Sequence, residues 1–176
     1  MKKTKLQQIK EHHAAFRKQV EETGNFLRNK ELPVLTKEMF LLYEQTGNRL
    51  IYENEYFERR RFLVVFGLLV YWYKREEDIQ KLEYVLNEIC EEETWALPAH
   101  VDRKKEGWQR EVDLFSAETG QTLANIIHLN RECLNPEVII KVTNLVRYRL
   151  IDSFMEVPKG GWRLESFYNN WVSVCS

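Results

Sequence analysis

The feature that most constrains this chain is the run Phe62 to Tyr73, FLVVFGLLVYWY. Twelve consecutive apolar positions fall short of the roughly 20 residues a membrane-spanning helix needs. They are also too many for one face of a surface helix. A helix apolar on nearly every side must be surrounded by other elements. The rest of the chain therefore has to supply neighbours around this segment. With 176 residues, the chain is large enough for one domain with one core.

The flanking sequence reads as those neighbours. Leu6, Ile9, His13, Phe16 and Val20 recur at steps of three and four, which places them on one helix face. Gly24-Asn25 offers an exit from that first helix. Thr36 has the chemistry of an N-cap, with Leu35 and Phe40 spaced as a hydrophobic staple. Thr46-Gly47-Asn48 ends this second, short helix. The third spans 54–73 with Asn54 as its cap. The fourth spans 76–93 and turns Ile79, Leu82, Leu86, Ile89 and Cys90 inward, with Glu76, Glu77 and Asp78 at its positive end. The fifth covers about 116–134, where Ala117, Gly120 and Ala124 permit close approach of another helix. Asn135-Pro136 opens the sixth, an N-cap followed by a proline that loses no needed N–H. Ile139, Val142, Val146, Leu150 and Ser153 share its face, and Pro158 to Gly161 ends the helical region.

The expected fold class is all-α, with antiparallel helical hairpins paired 1/2, 3/4 and 5/6 in a single domain over 1–176. Residues 94–112, with Pro98 and Gly107 and no sustained period, read as an ordered loop with functional potential. Residues 162–176 form an aromatic tail expected to continue into further sequence.

Composition narrows the function. Lys+Arg is 26 and Asp+Glu is 27, and no segment is basic enough for a nucleic-acid footprint. The three cysteines, Cys90, Cys133 and Cys175, are too widely spaced for a disulfide framework or a zinc ladder and read as free thiols. His12-His13 cannot converge on a metal, because adjacent helical residues diverge. Successive residues of Arg59-Arg60-Arg61 diverge in the same way, so the trio is no single anion site, and one of them is expected to reach an acid on the fourth helix. His128 reads as a core or edge histidine. The basic N-terminus lacks an apolar signal-peptide stretch, which points to the cytoplasm, or outside it if an export signal has been removed. No membrane, metal or cofactor is expected.

Four blocks carry a family resemblance: TGNRLIYENEYFERRRFLVVFGLL, ETWALPAHV (Glu93 to Val101), DLFSAETGQTLA (Asp113 to Ala124) and NNW (Asn169 to Trp171). In this order and spacing, over roughly 43–176, the chain resembles the N-terminal helical domain of heparinase II/III-like polysaccharide lyases. The resemblance implies an incomplete (α/α) toroid of helical hairpins, followed in such proteins by a β-sandwich domain. It implies β-elimination next to a uronic acid in an acidic polysaccharide or oligosaccharide. Asn170 matches the family's catalytic asparagine, with Asn169 the alternative one residue earlier, and would hold and neutralise the uronate carboxylate. Trp171 would offer an apolar platform beside it. The family's catalytic tyrosine lies further along, and none of the eight tyrosines here matches it. The resemblance therefore implies an N-terminal fragment, inactive alone, whose partners are the missing hairpins and β-sandwich and whose exposed end favours self-association.

In the loop, His100 reads either as a sugar or carboxylate contact or as a pin that ties the loop to a helix backbone. Trp95 and Trp108 are the right residue type to stack on pyranose rings. Trp95 reads more readily as core, and Trp108 as exposed. The alternative to a lyase fragment is a non-catalytic helical scaffold or glycan-binding module.

Overall fold

The computed structural model describes residues 5–156, with side chains from Glu11 onward apart from His12. Every regular element among the described residues is helical. They are α1 (Lys5–Arg28), α2 (Lys37–Thr46), α3 (Leu50–Tyr73), α4 (Glu76–Glu91), α5 (Leu114–Asn130) and α6 (Pro136–Val146). A π-helical turn (Arg147–Asp152) and the single turn α7 (Ser153–Met155) extend α6. Two 3₁₀ turns, Pro98–His100 and Trp108–Arg110, lie in the loop between α4 and α5. No described helix is long and apolar enough to cross a membrane.

The long apolar helix sits where its composition demands. α3 packs against α1, α4 and α5, while α6 packs against α4 and α5. Phe62, Leu63, Phe66, Leu69 and Val70 of α3 are completely buried, as are Leu82, Val85, Leu86 and Ile89 of α4. α3 is in contact with α4, and α5 with α6. α1 packs on α3 rather than on α2, its expected partner, and α2 packs on the first 3₁₀ turn and on α3.

The reason lies at Gly24. α1 does not stop there but continues to Arg28. A Cβ on Gly24 would run into the Leu69 side chain, so this glycine permits close approach of α1 to α3. Leu27, one turn further on, is completely buried. The face read for α1 is buried at Val20, but His13 is exposed, and Phe16, at 46% exposure, meets Trp72 edge to face. The side chains of Leu6, Ile9 and His12 lie outside the described residues.

The other helix ends test the capping readings individually. Thr36 Oγ1 accepts from Met39 N at 3.2 Å, and Gly47, at φ +74°, closes α2 with its N–H on the Tyr43 carbonyl. Asn135 Oδ1 accepts from Glu137 N at 2.9 Å, with Pro136 next to it. For α3 the N-cap position is Arg49, whose side chain makes no cap, and Asn48, one residue earlier, takes the place expected of Asn54. Asn48 Oδ1 receives Leu50 N at 3.1 Å, and Asn54 is an exposed residue within the helix. α5 begins two residues before Ser116, because Asp113 caps it, and it ends at Asn130. Gly120 of α5 faces the Leu150 and Val146 side chains, which occupy the space a Cβ would need. Ala117 is half-buried beside it, and Ala124 is exposed.

Cys90 is buried and Cys133 half-buried, both as free thiols; Cys175 lies outside the described residues. Burial pushes the Cys90 thiol up to about 11. The thiolate is the reactive form, so at pH 8 only about one Cys90 in a thousand is reactive at any instant. Maleimide labelling of the folded chain, read by peptide mass spectrometry, should modify Cys133 before Cys90. Cys90 should react promptly only after denaturation.

Candidate functional site

The sequence-derived candidates fall in two places. Asn169, Asn170 and Trp171 lie outside the described residues. His100, Trp95 and Trp108 lie on the loop between α4 and α5, which is built around Asp113.

Asp113 is 7% exposed and does several things at once. Its Oδ1 accepts from Ser116 N at 2.7 Å, and the Asp113 N–H donates to Ser116 Oγ at 2.8 Å, a reciprocal cap for α5. Its Oδ2 accepts from Leu97 N at 3.2 Å and meets His100 Nδ1 at 2.7 Å. A carboxylate against Nδ1 places the ring proton there, which leaves Nε2 of the neutral imidazole as a lone-pair acceptor. The ring stacks on Phe115, with centroids 5.7 Å apart and planes 18° apart. With 35% of the side chain exposed, His100 is accessible yet fixed at its Nδ1 edge and on one face. It pins the loop through a helix-capping side chain.

Neither tryptophan is available as a sugar platform. Trp95 is 1% exposed, its indole N–H donates to the Ile89 carbonyl at 3.0 Å, and the Arg149 guanidinium covers its ring at 4.9 Å. Trp108 is buried, not exposed. It belongs to a small second core with Phe40, Tyr52, Tyr56 and Leu97, and Arg103 lies over its ring at 5.4 Å. Gly107, at φ +75°, turns the chain inward immediately before it. The aromatics of α2 and α3, distant in sequence, supply the pocket that buries Trp108.

Behind the loop lies a buried charge network centred on Glu92. One carboxylate oxygen receives Arg59 Nε at 2.7 Å and Arg60 Nη1 at 2.6 Å, and the other receives Arg60 Nη2 at 2.6 Å. The Glu92 carbonyl accepts from Arg149 Nη2 at 2.5 Å. Arg60 also lies over the Tyr56 ring at 3.8 Å and donates to Thr119 Oγ1 at 3.2 Å. The Tyr56 hydroxyl donates to the Trp95 carbonyl at 2.8 Å and is 2.9 Å from Thr119 Oγ1. Burial lowers the proton affinity of Arg60, but the Glu92 charge outweighs it and holds the guanidinium above its usual range. Burial pushes Tyr56 up, and it pulls Arg149 down against the opposing pull of Glu92. The Arg60–Glu92 pairing suits a structural clamp that keeps its charges.

Two of the three consecutive arginines thus converge on one acid, while Arg61 turns to Glu58 at 3.3 Å. The helical divergence of neighbours holds for Cα–Cβ directions, but long side chains can bend back to a common carboxylate. Glu92 had no local signal, since it stands among three consecutive glutamates. Beside it, a cavity of about 250 Å³ opens between α2 and the end of α4, with Thr36, Phe40, Tyr52, Arg59 and Glu92 in its wall. His128 is exposed. Among the described residues, no group of three or more His, Cys, Asp or Glu side chains is placed to hold a metal ion. Compared with known proteins, the chain matches no family model and no curated protein.

Proposed function

We propose that this chain is the N-terminal helical part of a polysaccharide lyase acting by β-elimination on uronic-acid-containing glycans. It contributes the carboxylate-binding side of the cleft and is inactive alone. The observation that carries this reading is the half-exposed His100 ring, oriented by buried Asp113 on the loop ETWALPAHV. The reaction removes a proton beside a carboxylate that is already charged. A polar group must therefore offset the charge that builds on the uronate, and a base must take the proton. His100 offers the Nε2 lone pair of an oriented imidazole to a sugar hydroxyl, and Asn170, with Asn169 as the alternative, offers the amide N–H to the carboxylate. In this reading the α3/α4 and α5/α6 pairs are successive hairpins of an (α/α) toroid. A second reading, a non-catalytic helical scaffold, is favoured by the burial of both Trp95 and Trp108.

Titration with heparin, heparan sulfate, hyaluronan, chondroitin and alginate oligosaccharides separates the two. Binding to at least one of them is expected, weakened about tenfold or more in Asn170→Ala, which loses a hydrogen bond to the charged carboxylate, and about threefold to tenfold in His100→Ala, which loses a neutral one. No unsaturated product should accumulate in the ultraviolet assay. Absence of binding to all five would favour the scaffold. Turnover that vanishes in Asn170→Ala would mean that the chain holds a complete site, its base included.

A further inference from the structure

We propose that the cavity between α2 and the end of α4 binds a small zwitterion of the α-amino-acid class. The carboxylate of the ligand meets Arg59 and Tyr52 at the inner end, and its ammonium meets Glu88 and Glu93 at the rim.

The inner end carries donors that the fold leaves unused. Tyr52 and Arg59 stand two turns apart on α3, and each is only 4% exposed. Arg59 donates from Nε to Glu92 and from Nη1 to the Pro33 carbonyl, both at 2.7 Å. Among the described residues, neither its Nη2 nor the Tyr52 hydroxyl has a hydrogen-bond partner. Neither atom is sealed from solvent, and both residues wall the cavity, so both groups open into it. A polar group left unpaired at such a depth is costly, and one ligand acceptor here satisfies two of them. Burial, with the Glu92 charge second, pushes Tyr52 well above the usual tyrosine range, which keeps its hydroxyl a donor. The charge beside the cavity has the matching sign. Arg59 and Arg60 share the single Glu92 carboxylate, which leaves a surplus of positive charge for an incoming carboxylate.

The rim has the opposite sign. Glu88 is half-buried and Glu93 exposed, and neither joins an ion pair among the described residues. Glu91 beside them is already held by Lys141 at 2.7 Å. The C-terminal end of α4, negative by its dipole, lies on the same side. Lys37, on the α2 side, is the one opposing cation, against two free carboxylates. A simple cation would be repelled by Arg59 within, and a simple anion by the glutamates at the entrance. A molecule that carries both charges suits both ends. Leu35 and Phe40 add an apolar wall for a short side chain. At about 30 Å³ per water-sized group, the cavity of about 250 Å³ admits a ligand of about eight non-hydrogen atoms, the size of valine. His100 is not in its wall, so the proposal does not rest on the glycan reading.

Isothermal titration calorimetry of the full chain with L-alanine, L-valine and L-leucine tests it. At least one of them should bind with a Kd of about 1 mM or tighter. The amide of that amino acid lacks the carboxylate, and its N-acetyl form lacks the ammonium. Each should bind about tenfold more weakly or worse. Tyr52→Phe removes a hydroxyl that no described group uses and keeps the ring edge to face with Phe40, 5.1 Å between centroids. It should leave the circular dichroism spectrum unchanged and weaken binding about tenfold, the loss of one hydrogen bond to a charged group. Glu93→Gln should weaken binding about twofold to fivefold, because that contact is exposed to water. Absence of binding by all three amino acids up to about 10 mM would overturn the proposal. So would an amide or an N-acetyl form that binds as tightly as its parent, since the site would then read one charge only. Binding that Tyr52→Phe leaves unchanged would overturn it too.

Discussion

Replacing Glu92 by alanine should destabilise the fold by about 3–5 kcal/mol, the range for a buried ion pair broken on one side. Urea unfolding followed by circular dichroism reads it directly. The loss is large because of what stays behind. The Arg59, Arg60 and Glu92 side chains are 4%, 13% and 3% exposed. Without the carboxylate, two guanidinium groups lose their shared counter-charge in a site that water barely reaches. Arg59 would keep only the Pro33 carbonyl, at 2.7 Å, and Arg60 only Thr119 and the Tyr56 ring. The neighbouring Glu91 is the control. Its pair with Lys141 at 2.7 Å is similar in length, but the two side chains are 70% and 41% exposed. Water already solvates those charges, so Glu91→Ala should cost less than about 1 kcal/mol. If the two variants were equally mild, the Glu92 cluster would not be the clamp described here. Pairing Glu92→Ala with Arg60→Met should recover part of the loss, since the second change removes one of the stranded charges.

The contrast between Glu91 and Glu92 also shows where sequence reading succeeds and where it stops. Local signals carried far. Thr36, Gly47 and Asn135-Pro136 act through hydrogen bonds to residues two to four positions away, and all three stand as read. The burial of most of α3 followed from composition, although Val64 and Tyr71 of the apolar run are exposed. Failures arose wherever the deciding partner was distant in sequence. Gly24 looks like an exit until Leu69 is placed against it. Trp108 looks exposed on a polar loop until Phe40 and Tyr52 are placed around it. Glu92 is one of three glutamates until two arginines more than thirty residues earlier converge on it. Asp113 was the nearest miss, because an Asp three residues before Ser116 is a helix-start signal in its own right. Of the candidate site, His100 and its loop were legible. Its dependence on Asp113 was not, since one carboxylate serves both a local cap and a contact thirteen residues back.

That double service makes Asp113→Ala the second substitution with a large expected effect, roughly 2–4 kcal/mol. Loss of an N-cap alone costs about 1 kcal/mol. Here the change also strands the Leu97 amide, which is completely buried, and an unsatisfied buried donor costs about 1–3 kcal/mol more. The two losses differ in location, so they can be separated. The capping loss should appear at the first turn of α5, through Ser116 N. The Leu97 loss should appear in the loop, where His100 would retain its stack on Phe115 but lose its Nδ1 partner. Hydrogen exchange should therefore show faster opening at Leu97 and at Ser116, with α3 and α4 losing only what the global destabilisation takes. Asp113→Asn is the discriminating variant. Its amide oxygen can still cap Ser116 N, but its NH₂ group then faces the Leu97 N–H, and two donors cannot satisfy each other. This variant should therefore hold the helix start and release the loop. If Leu97 stayed as protected in Asp113→Asn as in the unmodified chain, Asp113 would be a helix cap only. The orientation of His100, on which the glycan-binding reading depends, would then need another cause.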